Sequence, residues 1–561
     1  MNPFGYFALN SLWLSGGAKA ALKFRRALRQ PQRSQEAILF SLLRQNANTR
    51  YGRTHGFHRL QTIRDYQDAV PVIGFDALAE EIEAIKAGQP GVLTEESVLA
   101  LERTSGSTAA AKYVPYTARL LREFQAAIGP WMADLYCHRP AMLGGGAYWS
   151  VSPLASKPEL TSGGLPVGFA DELEYFGGFG RRLLARLLVT PAELPKIPDI
   201  EASRYVTLRF LLATARLTFI SVWNPSFLTL LITALEENFE SLLIDLKEGT
   251  LKPPSPLPRH IQAALCDGVV PLPKRAQQLR AILRQYGGLP AAEIWPQLRV
   301  ISCWADAGAT LFLPELRRRF PGIEIQPKGL LATEGVVSLP LTDQPGAALA
   351  ITSHFLEFID DEKPNARPLL AHELDKGSIY SVLLTTGGGL YRYRLGDRVR
   401  VVGKVEATPL VEFVGRSEDT SDLCGEKLHE PFVRGVLDQV LDEFRIAPLF
   451  AMVAPEWGRP PGYVLFLEAM NVTPELMSQL VSRVEAGLLA ATHYAYCRRL
   501  GQLSPLRGVR IAGGANRSYI ERCARMGQRR GNIKPTVLHR QTGWSEWFHA
   551  VSSQTDLSDT R

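Results

Sequence analysis

Cysteine is scarce and scattered in this 561-residue chain. Cys137, Cys266, Cys303, Cys424, Cys497 and Cys523 form no CxxC pair and show no Cys/His ligand spacing, which excludes a disulfide scaffold and a structural zinc site. No stretch approaches the roughly 20 uninterrupted apolar residues that a membrane span needs. The N-terminal run MNPFGYFALNSLWLSGGAKAA has no basic residue before Lys19 and is interrupted by Asn10 and Ser11. It therefore reads as mature protein rather than as a signal peptide. There is no repeat at a fixed period and no low-complexity tract. Charge of one sign is also lacking: 63 Lys and Arg against 56 Asp and Glu leave +7 over the whole chain, too diffuse for a nucleic-acid-binding field. These readings favour a reducing cytoplasm, with neither nucleic acid nor membrane as partner.

What is present is an average globular composition, 46% hydrophobic and 21% charged, and a length that at about 150 residues per domain suggests two to four folding units. Apolar residues at three- and four-residue spacing predict helices over 35–46, 117–136 and 225–247. Pro225 after Asn224 marks a helix start. Short β-rich segments follow at 299–303, 379–386, 398–403 and 410–415. Mixed helices and strands predict α/β or α+β architecture. The segment FVGRSEDTSDLCGEKLHE (413–430) passes abruptly from β-rich to polar to helix-like and is a candidate domain boundary. Beyond it two strands, a long helix around 474–498, a third strand and a helix from Ser518 predict a small α+β domain.

Three clusters carry chemistry. Thr104-Ser105-Gly106-Ser107-Thr108-Ala109-Ala110-Ala111-Lys112 offers hydroxyls, backbone N–H groups and one ammonium, which suits a loop around phosphate oxygens, although a polar surface loop has the same composition. It is not a Walker A loop, because GxxxxGK[ST] is absent. Lys328 to Gly335 is a Gly-bounded turn with Thr333 beside Glu334. An acid there suits Mg²⁺, which takes one or two carboxylates plus phosphate oxygens and water, and it equally suits a helix N-terminus. Tyr391-Arg392-Tyr393-Arg394-Leu395-Gly396-Asp397 follows Thr385-Thr386-Gly387-Gly388-Gly389. An aspartate at a tight Gly turn can accept from the two hydroxyls of a ribose, while Gly-Asp is also an ordinary hairpin turn.

The order and intervals of these clusters are more specific than any one of them. TSGSTAAAKYVPYT, YWSVSP, SVWNPSFLTLL, SCWADAG, QPKGLLATEG, HFLEF, LYRYRLGD and FVGRSEDTSDLCGEKLHE, with NANTRYGRTHGF near the start and GQRRGNIKPTVL near the end, resemble the ANL adenylating enzymes. Within them the chain is most similar to the GH3 acyl acid amido synthetases, especially bacterial members. The resemblance implies an α/β fold with an α+β C-terminal part: a large N-terminal domain (1–415) that binds ATP and the acyl substrate, and a smaller mobile domain (416–561). It also implies roles for individual residues. Thr104, Ser105, Gly106, Ser107, Thr108 and Lys112 match the phosphate loop, Thr333 the α-phosphate contact, Glu334 the magnesium ligand and Asp397 the ribose ligand. Arg416 matches the hinge arginine, and Lys427 and Lys534 match lysines that the C-terminal domain brings to the site. The chain departs from plant members at Ala109 and Ala110, where they carry glycines, and at Leu330, where they carry a tyrosine.

The resemblance thus implies a cytoplasmic, ATP- and Mg²⁺-dependent ligase. It would join a small carboxylic acid, through its acyl-adenylate, to an amine, foremost that of an amino acid. An acyl-CoA synthetase shares the first half-reaction, and a nucleotide-binding protein without catalysis is the alternative outside enzymes. Cys303, with no histidine near it in sequence, is expected to be a buried core thiol. His354 is expected either to line the acyl pocket or to be a satisfied core histidine. The basic cluster Arg522, Arg525, Arg529, Arg530 could suggest RNA, but it lacks interleaved aromatics and reads as a solvated face near a polyphosphate site.

Overall fold

The computed structural model describes residues 2–104, 112–150, 159–168, 177–416, 420–526 and 536–548. Its contacts divide the chain into two compact units: the first contains Met1–Thr104 and Tyr113–Gly415, and the second contains Lys112 together with the residues from Arg416 onward. Among the described residues no helix is long and apolar enough to cross a membrane.

The first unit opens on α1 (Pro3–Ala27), a 25-residue helix that the sequence patterns did not bring out. α2 (Pro31–Gln45) follows, then β1 (Val98–Thr104) and β2 (Lys112–Thr117). Next is α3 (Ala118–His138), whose N-cap Thr117 accepts from Leu120 N. Pro130 sits inside α3 and removes the bond to Ala126 O, to which the Thr352 hydroxyl instead donates at 3.5 Å. One residue earlier, Gly129 lets α1 approach closely: a Cβ there would stand 3.5 Å from the Cα of Gly17.

Behind α3 lies a four-stranded parallel sheet in the order β3 (Gly146–Trp149), β4 (Leu217–Ser221), β5 (Val300–Cys303), β6 (Glu324–Pro327). Between β4 and β5 runs α4 (Pro225–Glu248). It starts where the sequence predicted, with Asn224 accepting from Ser226 N and Pro225 at the first helical position, and it stops at Gly249 in the left-handed region at φ +70°. Leu228, Leu231, Ile232 and Leu235 bury one face of α4, each contributing about 1.5–3 kcal/mol. After β6 come a hairpin of β7 (Leu331–Ala332) and β8 (Gly335–Val336) and a seven-stranded sheet. In that sheet β9 (Ile379–Thr385), β10 (Tyr393–Val405) and β11 (Thr408–Arg416) are neighbours.

In the second unit the hairpin β12 (Thr420–Ser421), β13 (Leu428–His429) leads into α5 (Glu430–Glu443). A three-stranded sheet of β14 (Pro448–Glu456), β15 (Gly462–Ala469) and β16 (Arg507–Arg510) follows. The long helix expected over 474–498 is two helices, α6 (Pro474–Leu488) and α7 (Thr492–Arg499). The break folds α7 back so that Tyr494 Oη and Arg498 Nε both donate to the Glu485 carboxylate, at 2.6 and 2.7 Å. α8 (Ala515–Arg525) closes a small aromatic core with Phe450, Tyr519, Trp544 and Phe548.

Candidate active site

Thr333 and Glu334 form the two-residue turn between β7 and β8, with Ala332 paired to Gly335. Of the two settings that the sequence left open, the helix N-terminus is not the one found: the acid sits on a hairpin tip. That tip is tied to β2, the strand that returns from the hydroxyl-rich loop, because Tyr116 Oη donates to Thr333 O at 2.5 Å. The adjacent Thr117 Oγ1 donates to Gly387 O at 2.8 Å, which ties the TTGGG loop to the same strand end. Two neighbouring residues of β2 therefore join the three sequence clusters. Lys112 opens β2. Ser105, Gly106, Ser107 and Thr108 lie outside the described residues, as does the side chain of Thr104.

Glu334 is only 7% exposed and has no hydrogen-bond or ion-pair partner among the described residues. A buried, acceptor-only carboxylate of this kind fits a hard divalent cation. Among the described residues no three His, Cys, Asp or Glu side chains cluster as a complete protein-only cage, so phosphate oxygens and water would complete the shell.

Asp397 is buried at 3% exposure, and its setting differs from the tight turn that the sequence suggested. It lies within β10, where the register against β9 jumps: Ser381 faces Arg398 but Leu383 faces Arg394. Leu395, Gly396 and Asp397 thus form a bulge, which Gly396 permits by taking φ +83°. Bulges re-aim a side chain that a regular strand would send elsewhere. Arg392, from the same sequence cluster, is structural: its Nε donates to Glu357 at 3.1 Å and its Nη1 to the carbonyls of Gln67 and Val70.

Two arrangements are not apparent in the sequence. Trp149, Ser221, Ser302 and Gln326 pair in register across the parallel sheet and so share one face near the strands' C-terminal ends, where open α/β sheets bind ligands. Just beyond, the buried Lys328 donates from Nζ to Ser221 Oγ at 2.6 Å and lies 5.2–5.6 Å from the ring centres of Trp131, Trp149 and Trp223. Second, Glu123 of α3 accepts from Gly387 N at 2.7 Å and bonds His354 Nδ1 at 3.0 Å. The other ring nitrogen of His354, Nε2, is buried without a hydrogen-bond partner among the described residues and abuts Gly335, where a Cβ would meet it at 2.8 Å. His354 is therefore a buttress behind the acid-bearing hairpin, partnered on one side only. Cys303 is fully buried, as expected, and burial pushes its thiol up to about 12, which keeps it protonated and inert.

In the second unit Lys427 adopts φ +46° at the end of a loop held by Glu426. That carboxylate accepts from Leu423 N, Cys424 N and Tyr463 Oη. Lys534 lies outside the described residues. Arg416 ends β11, and its side chain is likewise outside them.

Three family models match the chain in order: the GH3 family N-terminal domain over residues 20–325, its central domain over 347–416 and its C-terminal domain over 437–542. The chain belongs to the GH3 family. Relatives of this GH3 protein include an indole-3-acetic acid-amido synthetase of Arabidopsis thaliana, 25% identical over 83% of this chain and 84% of that one. A jasmonoyl-L-amino acid synthetase of Nicotiana attenuata is 24% identical over 84% and 85%. Among solved structures, a GH3 acyl acid amido synthetase superposes with a TM-score of 0.62 at 19% identity, covering 95% of each chain. A 2-hydroxyisobutyryl-CoA ligase superposes with a TM-score of 0.50 at 13% identity, over 96% of this chain and 93% of the other. The fold is thus common to all three chains.

Proposed function

We propose that this GH3 protein is an ATP- and Mg²⁺-dependent ligase that forms an acyl-adenylate from a carboxylic acid and passes the acyl group to the amine of an amino acid. The observation that carries this reading is the junction at the end of β2, where Tyr116 and Thr117 hold the Thr333–Glu334 turn and the loop that leads to Asp397. Family membership and the amido synthetase relatives support the amine acceptor.

In the first step a carboxylate oxygen of the acid attacks the α-phosphorus of ATP, the bond to the β-phosphate oxygen breaks, and pyrophosphate leaves with that electron pair. Thr104, Ser105, Gly106, Ser107, Thr108 and Lys112 are assigned to the departing phosphates as N–H, hydroxyl and ammonium donors, and Thr333 to an α-phosphate oxygen. Asp397 accepts from the ribose hydroxyls, and Glu334 would hold Mg²⁺. When bound, the cation neutralises charge on the phosphate oxygens. In the second step the amine attacks the acyl carbon, AMP departs and the amine proton is released. Catalysis is chiefly positioning and stabilisation of charge that builds on the α-phosphate. We assign to residues 416–561 the role of a mobile domain hinged at Arg416 that supplies Lys534 or Lys427 to that charge. Six free cysteines, two of them exposed, support a reducing, cytoplasmic setting.

The test is a panel of carboxylic acids scored by exchange of pyrophosphate into ATP, repeated with each amino acid or CoA as acceptor. Amide formation with an amino acid is the expected result. Thioester formation with CoA alone would make the protein an acyl-CoA synthetase, and no exchange with any acid would leave a nucleotide-binding protein.

A further inference from the structure

A cavity of about 640 Å³ opens where the end of α1, the start of α2 and the start of α3 meet. Its size is that of a small-molecule site, yet its walls are unusually charged. Lys23, Arg26, Arg33, Arg119 and Arg122 line it, against a single carboxylate, Glu123. That carboxylate is already engaged by Gly387 N, His354 Nδ1 and Arg119 Nε. Arg122 pairs with Glu96 at 2.8 Å. Lys23, Arg26 and Arg33 have no ion-pair partner among the described residues, although like charges gathered in one concavity repel and would be relieved by a counter-anion.

The backbone adds to the same field. α2 begins at this cavity with no side-chain cap and no acid in its first turn, and Gln30, Arg33 and Ser34 of that start line the wall. Its unpaired N–H groups and positive dipole end therefore favour an anion. Thr352 and Ser353 also line the wall, but their hydroxyls donate to Ala126 O and Glu123 O, so the cations and the helix start supply the donors. Arginine forks suit phosphate oxygens, and cations contributed by three helices suit a ligand that carries several of them.

We propose that this cavity is a binding site for a small polyanion bearing clustered phosphate groups, separate from the nucleotide site. The test uses the full chain and inositol hexakisphosphate as probe, titrated calorimetrically with ATP absent. The expected result is saturable binding that weakens on the order of tenfold or more in the double variant Arg26→Glu/Arg33→Glu, weakens with added salt, and persists in Asp397→Ala. Both arginines are exposed, so the fold should survive. The milder Arg26→Gln/Arg33→Gln pair, with ATP affinity measured alongside, separates lost probe binding from misfolding. A vesicle arm, phosphatidylcholine with and without phosphatidylinositol bisphosphate, distinguishes the source. Binding of the soluble probe assigns the site to a free polyphosphate. Arginine-dependent binding of the doped vesicles alone assigns the same phosphate chemistry to a lipid headgroup. No binding of either, or probe binding unchanged in both double variants or lost in Asp397→Ala, would overturn the proposal.

Discussion

Asp397 and Glu334 are both buried carboxylates, and burial deprives a carboxylate of hydration that only donors or a cation can replace. For Asp397 the proposed donors are ribose hydroxyls, and a charged hydrogen bond of that kind contributes about 1.5–3 kcal/mol. Asp397→Ala should therefore raise the KM for ATP roughly ten- to a hundredfold. A nucleotide affinity equal to the parent's in calorimetry would remove the ribose assignment. Glu334→Gln is nearly isosteric and removes charge alone. It should slow pyrophosphate exchange and shift its Mg²⁺ dependence to higher concentration while leaving the melting temperature almost unmoved. Parental activity at saturating Mg²⁺ would acquit Glu334. At this scale residue types were readable from sequence and their settings were not. Asp397 was legible beside a glycine, but the bulge that aims it exists only through pairing with a strand that begins at Ile379.

Elements were legible where local chemistry decides. The start of α4 is set by Asn224 and Pro225 and its end by Gly249, all within a few residues of the boundary. The division of 474–498 into α6 and α7 was not, because no proline or strong local signal lies at the break; Glu485 fixes it by drawing Tyr494 and Arg498 back. The loop before β13 likewise depends on a buried group. Burial first, then the neighbouring Asp422, push the Glu426 carboxyl from its ordinary 4.5 up to about 7. The folded second unit therefore holds this proton more tightly than the unfolded chain does. Its stabilising share is complete below about pH 4.5, declines as pH rises and levels off above about 7. Thermal melts across that interval should show a fall in the parent that Glu426→Gln lacks. Parallel pH profiles for the two proteins would contradict the raised carboxyl.

On the scale of the whole molecule, Lys534 is expected to serve the first half-reaction, because a lysine delivered by the second unit can stabilise charge on the α-phosphate without assisting the later amine attack. Lys534→Ala should abolish most pyrophosphate release from ATP yet retain amide formation from a presynthesised acyl-adenylate. Equal losses in both assays would point to misfolding or a shared role, and no loss in either would pass the role to Lys427. The sequence by itself determined the family, the order of the chemistry-bearing clusters and the start of α4, because motifs and caps are written in adjacent residues. Tertiary structure alone decided that Tyr116 and Thr117 would bind two clusters more than 200 residues away, that Glu123 and His354 would stand behind Gly335, and that five cations from three helices would share one cavity. Those arrangements are made by packing between segments distant in the chain, and no local pattern encodes which distant partner a buried polar group will meet.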